Sequence, residues 1–251
     1  MTDGMYSIDF EDRDRLKAEL GGGLPEGSIV LMEGSYGAGK SVLSQRFAVG
    51  CCEAGHGVTY LSTELAVSDF LTQMESLNYD VTGHLLDDRL LYLYAPLKSP
   101  GATPIRGTER SRRQTYLSQL MNAETMWQAD LVMIDTFDAI LRKDPTFEAL
   151  VRGDEGRQGA LEIISFFRDV AATGRTVVLT VDQTAVDDEG LRPFRSIADV
   201  YFSLEIIEVG NEQRRHLSVN RFSGKGERVG KTIGYSIRPD AGVVIESRSV
   251  A

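Results

Sequence analysis

Eight residues carry the most explicit chemistry in this chain. Gly34-Ser35-Tyr36-Gly37-Ala38-Gly39-Lys40-Ser41 matches the spacing G-x-x-x-x-G-K-[ST] in full. A polyphosphate needs many donors crowded around its oxygens. Glycines let the backbone bend so that successive N–H groups point inward. A helix opening at the end of the loop adds unpaired amides and the positive end of its dipole. Lys40 supplies a mobile point charge for the β- and γ-phosphates. The Ser41 hydroxyl is a hard oxygen ligand suited to magnesium. The expected ligand is ATP with Mg2+.

Other positions at strand ends belong with this loop. Asp135 ends the apolar run Leu131-Val132-Met133-Ile134, and open parallel sheets gather ligands at the carboxyl ends of their strands. A carboxylate there holds magnesium through water or caps the following helix, and the two roles are compatible. Asp138 reads as a surface or capping residue. Glu64 finishes Leu61-Ser62-Thr63-Glu64, expected beside the phosphate loop, where a carboxylate could polarise water for attack on the γ-phosphate. Thr180, Asp182 and Gln183 close the strand at 177–181 and either sense the terminal phosphate or simply satisfy the strand end.

The elements that must position these groups alternate. Ile29-Val30-Leu31-Met32 is a continuous apolar run, as expected of a strand buried on both faces. A helix is predicted from about Gly39 to Ala54, with Leu43, Phe47 and Cys51 on one face. Strands follow at Val58–Leu61, Leu90–Tyr94, Leu131–Asp135 and Val177–Val181. Helices are predicted at 66–77, at about Arg113 to Gln128 and at 157–173. Such alternation predicts an α/β fold, with a mostly parallel central sheet flanked by helices. After Asp199 the pattern changes to Val200–Ile207, Arg215–Phe222, Thr232–Ile237 and Val243–Ser247, which predict antiparallel hairpins extending the sheet. Polar loops are expected at 97–113 and 143–156. The expectation is one domain over 1–251, with residues 1–20 as an N-terminal extension.

The totals exclude several classes. A formal net charge of −10 argues against a nucleic-acid-coating role, which needs a basic footprint. No apolar stretch approaches a membrane span, and Met1-Thr2-Asp3-Gly4 lacks the basic region and apolar run of a signal peptide. A cytoplasmic protein is expected. Cys51 and Cys52 are adjacent on a predicted helix and point to different faces, as small buried residues. His56, His84 and His216 show no metal-ligand spacing, which leaves zinc chemistry without a basis.

The run Gly22-Gly23-Leu24-Pro25-Glu26-Gly27-Ser28-Ile29-Val30-Leu31-Met32-Glu33, leading into Gly34–Ser41, resembles the opening of the RecA/KaiC superfamily of P-loop proteins. Leu43-Ser44-Gln45-Arg46-Phe47, Tyr60–Glu64, Gln73-Met74-Glu75-Ser76-Leu77, Ile197-Ala198-Asp199-Val200-Tyr201 and Arg238–Glu246 resemble one branch, the FlaH (ArlH) ATP-binding proteins of the archaellum, the archaeal flagellum. The resemblance covers about residues 20–248. It implies a RecA/KaiC-like core that binds ATP and turns it over poorly. It also implies docking on the motor ATPase FlaI within a scaffold ring of FlaX or FlaC/D/E, at the cytoplasmic face of the membrane-bound motor. A homo-oligomeric ring is a further implication. By resemblance Asp135 takes the Walker B position after the Walker A loop, and Glu64 that of the catalytic glutamate.

One departure bears on hydrolysis. KaiC-like rings often carry a Lys-x-Arg pair that reaches a neighbouring subunit's γ-phosphate, and here Val219-Asn220-Arg221-Phe222-Ser223 offers Arg221 alone, with Lys225 two residues beyond. A missing trans cation removes on the order of 10³ to 10⁵ in rate, as expected of a weak ATPase. The alternatives are a KaiC-like ATPase or autokinase and a RecA-like recombination protein, the last opposed by the charge. Lys98, Arg106, Arg110, Arg112 and Arg113 form either a solvated loop or a docking surface for an acidic partner. Arg238–Gly242 is a candidate contact for the base.

Overall fold

The computed structural model describes residues 4–10, 15–97, 115–144, 147, 157–209, 212–224 and 228–246. The strands are β1 (Met5–Ser7), β2 (Gly23–Pro25), β3 (Ile29–Gly34), β4 (Val58–Ser62), β5 (Leu90–Tyr94), β6 (Leu131–Asp135), β7 (Thr176–Asp182), β8 (Val200–Val209), β9 (Glu212–Phe222), β10 (Thr232–Arg238) and β11 (Gly242–Ile245). The helices are α1 (Leu16–Leu20), α2 (Lys40–Glu53), α3 (Val67–Ser76), α4 (Thr82–Leu86), α5 (Tyr116–Met121), α6 (Phe137–Lys143), α7 (Arg157–Ala172) and α8 (Asp188–Ile197).

Nine strands form one sheet in the order β11-β10-β9-β8-β3-β7-β6-β4-β5. β8 through β5 are parallel, and β9, β10 and β11 continue antiparallel beyond β8. The predicted architecture is therefore present, hairpins included. The central strands β3, β6 and β7 are buried on both faces, which is why they read as unbroken apolar runs. Two cores lie on the two faces of the sheet. One is built around α2 with Phe47, Tyr60, Phe202 and Tyr235. The other is built around α6, α7 and α8 with Phe137, Phe167 and Phe194.

The structure corrects several expectations. β4 is not beside β3; β7 and β6 lie between them, so Glu64 neighbours the strand of Asp135 instead of the phosphate loop's own strand. Residues 4–10, in the expected N-terminal extension, pack onto the core. Ile8 and Phe10 are buried, β1 pairs with β2, and Arg46 donates to the Ile8 carbonyl at 3.2 Å while lying over the Phe10 ring. This cover explains why α2 is buried all round from Leu43 to Cys52, and not only along one stripe.

The helix predicted over 113–128 is shorter. The Thr115 side chain caps α5 by accepting from the Ser118 amide, and Asn122 turns its amide back to the Ser118 carbonyl, which ends the helix. A 3₁₀ turn, Glu124–Gln128, follows. The helices α4, α6 and α8 are additions to the sequence reading. The basic residues from Lys98 to Arg113, Lys225 and most of the expected polar loop at 143–156 lie outside the described residues.

Candidate functional site

Gly34 ends β3 between β7 and β8, opposite Asp182 on one side and Leu204 on the other. A Cβ at Gly34 would stand 2.7 Å from the Leu204 carbonyl, so the chain can turn into the loop here only without a side chain. The turn ends at Gly39, which caps α2 at φ +94 and offers no side-chain bond to the helix. The first-turn amides of α2 are thus left for an anion. Tyr36 stands 90% exposed at the loop's tip.

Lys40 crosses the loop. Its ammonium donates to the carbonyls of Gly34 at 2.7 Å and Ser35 at 3.0 Å, with Asp182 Oδ2 at 3.7 Å. These are exchangeable partners for a phosphate.

Asp135, at the end of β6, is 2% exposed. Its Oδ1 accepts from the Thr180 hydroxyl at 2.7 Å and from the Ser41 hydroxyl at 3.1 Å. Burial pushes its carboxyl above the usual value, against the opposing donors Thr180, Ser41 and Tyr60 and the charge of Lys40. Thr180 acts twice, because its oxygen also accepts from the Thr136 amide at 2.8 Å. Thr136 sits in the left-handed region at φ 64, an uncommon place for a β-branched residue. Such strain costs about 1–3 kcal/mol and concentrates at functional sites.

Asp138 is a correction: it is buried, not a surface residue. It accepts from the Asp182 amide at 3.0 Å and pairs with Arg142 at 3.2 Å, joining α6 to the end of β7. Burial opposes ionisation of Asp182, but the Thr184 hydroxyl and amide together with Lys40 outweigh it and lower its pKa. Glu64 is exposed at the rim. It follows Ser62, which pairs with Asp135 across the strand ends, and desolvation first, then the Asp135 and Asp138 carboxylates, raise its pKa.

The structure therefore brings together the loop residues Gly34–Ser41, Asp135, Glu64, Thr180 and Asp182. Gln183 is exposed. Arg221 is exposed, and its Nη1 donates to the carbonyls of Arg195 at 2.9 Å and Ala198 at 2.6 Å, capping the end of α8. In the turn at Arg238–Gly242, the candidate base contact, the Asp240 amide reaches the Ser76 carbonyl, and Gly242 lies against Tyr79.

Sequence reasoning missed the supports of the loop. Glu33, directly before Gly34, is fully buried, and Arg195 Nε lies 2.9 and 3.0 Å from its two oxygens. The Tyr201 hydroxyl donates to the same carboxylate. A lone acid closing the run Ile29–Met32 was the available signal, since a buried carboxylate demands a partner. Tyr235 and Arg215, which touch the loop from β10 and β9, left no such signal.

Four likenesses accompany this geometry. The family model described as the KaiC ATPase matches residues 14–250. Over 240 residues the chain is 27% identical to the archaeal flagellar ATP-binding protein FlaH of Methanocaldococcus jannaschii, spanning 95% of both. The crystal structure of flagellar accessory protein FlaH from that organism superposes with a TM-score of 0.80 at 25% identity, covering 97% of this chain and 100% of that one. A KaiC-like protein from Pyrococcus horikoshii gives 0.67 at 18% identity over 93% and 96% of the two chains, a likeness of fold alone.

Proposed function

The chain belongs to the KaiC family of ATPases, and from that premise we propose that it is an ATP-binding regulatory and assembly component of the archaellum motor, with weak or no ATPase activity. The observation that carries this reading is similarity along nearly the whole of both chains to FlaH, a protein named for ATP binding in the archaeal flagellum. In this reading ATP occupancy switches the chain's interaction with the motor ATPase FlaI. The scaffold FlaX or FlaC/D/E surrounds it, a homo-oligomeric ring is the assembled form, and nucleic acid is no partner. Residues 1–251 act as one domain. Its place is cytoplasmic, at the motor; among the described residues no helix is long and apolar enough to cross a membrane.

In the proposed site the loop amides and Lys40 bind the phosphates. Magnesium fits beside them: Ser41 Oγ and Asp135 Oδ1 are hard oxygen donors 3.1 Å apart, and Asp135 is a buried carboxylate that gains from a cation. Ser41 would hold it directly and Asp135 through water. When bound, it neutralises charge on the β- and γ-phosphates. Slow turnover agrees with Arg221 being committed to the carbonyls of α8.

A second reading, a KaiC-like ATPase or autokinase, draws support from Glu64, a carboxylate two residues beyond Ser62, which pairs with Asp135 across the strand ends. One experiment separates the two. The purified chain is mixed with FlaI with and without Mg-ATP, and co-purification and phosphate release are both measured. Lys40→Ala should abolish ATP binding and the ATP-dependent part of the association, with little phosphate released by either protein. Undiminished association of a Lys40→Ala protein that no longer binds ATP would remove the switch. Steady phosphate release that Glu64→Gln eliminates would favour the enzyme.

A further inference from the structure

The antiparallel strands added to the parallel sheet end against the outer side of the phosphate loop. Ile206 of β8, Arg215 of β9 and Tyr235 of β10 are cross-strand neighbours in one row. The buried Tyr235 hydroxyl donates to the Ala38 carbonyl at 2.6 Å. Arg215 Nε donates to the Gly37 carbonyl at 3.2 Å. A Cβ built at Gly39 would meet Ile237 Cδ1 at 2.8 Å, the Tyr235 hydroxyl at 3.3 Å and Arg215 Cδ at 3.5 Å. The loop and this wall are therefore in direct contact.

A trans peptide is planar, and its C=O and N–H point in opposite directions. A carbonyl held toward the wall therefore fixes the following amide away from it. The Ala38 carbonyl sets the Gly39 N–H in this way, and the Gly37 carbonyl sets the Ala38 N–H, which closes the turn onto the Ser35 carbonyl at 3.2 Å. Without such anchors a glycine-rich loop samples several backbone wells. Donors aimed in advance lose no free energy to reorganisation when the anion arrives.

We propose that Tyr235 and Arg215 are positioning residues for phosphate binding: from β10 and β9 they hold two loop carbonyls outward, so that Tyr235 aims the Gly39 amide at the nucleotide and Arg215 fixes the turn that the Ala38 amide closes. This rests on the nucleotide-binding reading above and extends it to residues some 180 to 200 positions along the chain from the loop. It also gives the C-terminal hairpins a task in the site, beyond widening the sheet.

Tyr235→Phe keeps the ring in the core and deletes only the donor; Arg215→Lys keeps the charge and deletes the Nε–H. ATP dissociation constants are measured by calorimetry well below the unfolding temperature, alongside Lys40→Ala and Tyr79→Phe. Tyr79 is a buried tyrosine whose oxygen accepts from the Val243 amide at 2.8 Å, on β11 and away from the loop. Each loop-wall variant should weaken ATP about five-fold, the worth of one hydrogen bond, while Tyr79→Phe leaves affinity unchanged. The proposal is overturned if Tyr235→Phe binds ATP as the unaltered protein does, or if Tyr79→Phe loses as much. Failure of the unaltered protein to bind ATP would overturn the nucleotide reading itself, a result distinct from either.

Discussion

At the scale of single residues, Asp135 bears the sharpest conflict. Its carboxylate is nearly inaccessible, and the donors around it do not fully offset its desolvation. Folding therefore raises its pKa above 3.8. An acid that holds its proton more tightly in the native state favours folding at low pH. That contribution declines as pH climbs from the unfolded value through the raised native one. At neutral pH Asp135 thus destabilises the nucleotide-free protein, as functional groups commonly do. Asp135→Asn keeps an oxygen for Ser41 and Thr180 and removes the charge. The nucleotide-free variant should be more stable at pH 7 by about 0.5–2 kcal/mol, with a flatter dependence on pH above 4. Its magnesium-dependent gain in ATP affinity should vanish. Urea unfolding across pH, paired with ATP titrations with and without magnesium, checks both halves; a variant less stable at pH 7 would contradict the argument.

Among the elements, α8 carries a duty that its sequence conceals. Pro193 lies inside it, so a pattern reading stops at 181 and resumes at 200, although Asp187 caps its start by accepting from the Gly190 amide at 2.8 Å. Tertiary contacts override that local signal. Arg195 reaches the carboxylate of Glu33 at the base of the phosphate loop, and Arg221 binds the carbonyls at the helix's far end. Pairing across 162 positions has no local signature, whereas the loop itself was legible because all its chemistry lies within eight consecutive residues. Arg195→Met leaves the Glu33 carboxylate buried without its cation, with the Tyr201 hydroxyl still donating to it. The expected loss is about 3–5 kcal/mol, since breaking a buried pair exposes the full desolvation penalty. Adding Glu33→Met should recover part of it, because the stranded charge is then gone. A double-mutant cycle in urea reads this directly. Additive losses would mean that the pair does not couple α8 to the loop.

For the molecule as a whole, long strands and the two long helices α2 and α7 were readable because their periods persist over many residues. The short pieces were not. β1 has three residues and α1 five, too few for any period, yet together they close one face of the core. Their docking on α2 is close at Gly50, where the N-terminal segment crosses the helix that begins at the phosphate loop. An added Cβ there would lie 2.5 Å from the Ile8 carbonyl oxygen and 2.5 Å from Arg46 Nη1. Arg46 has a flexible end, but the Ile8 carbonyl is backbone and must move. Two effects then compete at Gly50→Ala. Alanine gains about 1 kcal/mol of helix propensity, while overpacking a filled interior costs about 1–3 kcal/mol. The second prevails, so the variant should be destabilised by up to about 2 kcal/mol. It should also expose residues 4–10 to proteolysis, because relief comes most easily by lifting that segment. Gly83→Ala, in the exposed helix α4 with nothing within 4 Å of the new methyl, meets only the first effect and should be neutral or slightly stabilising. If the two variants behave alike in urea, the N-terminal segment does not clamp α2, and the burial of that helix all round needs another cause.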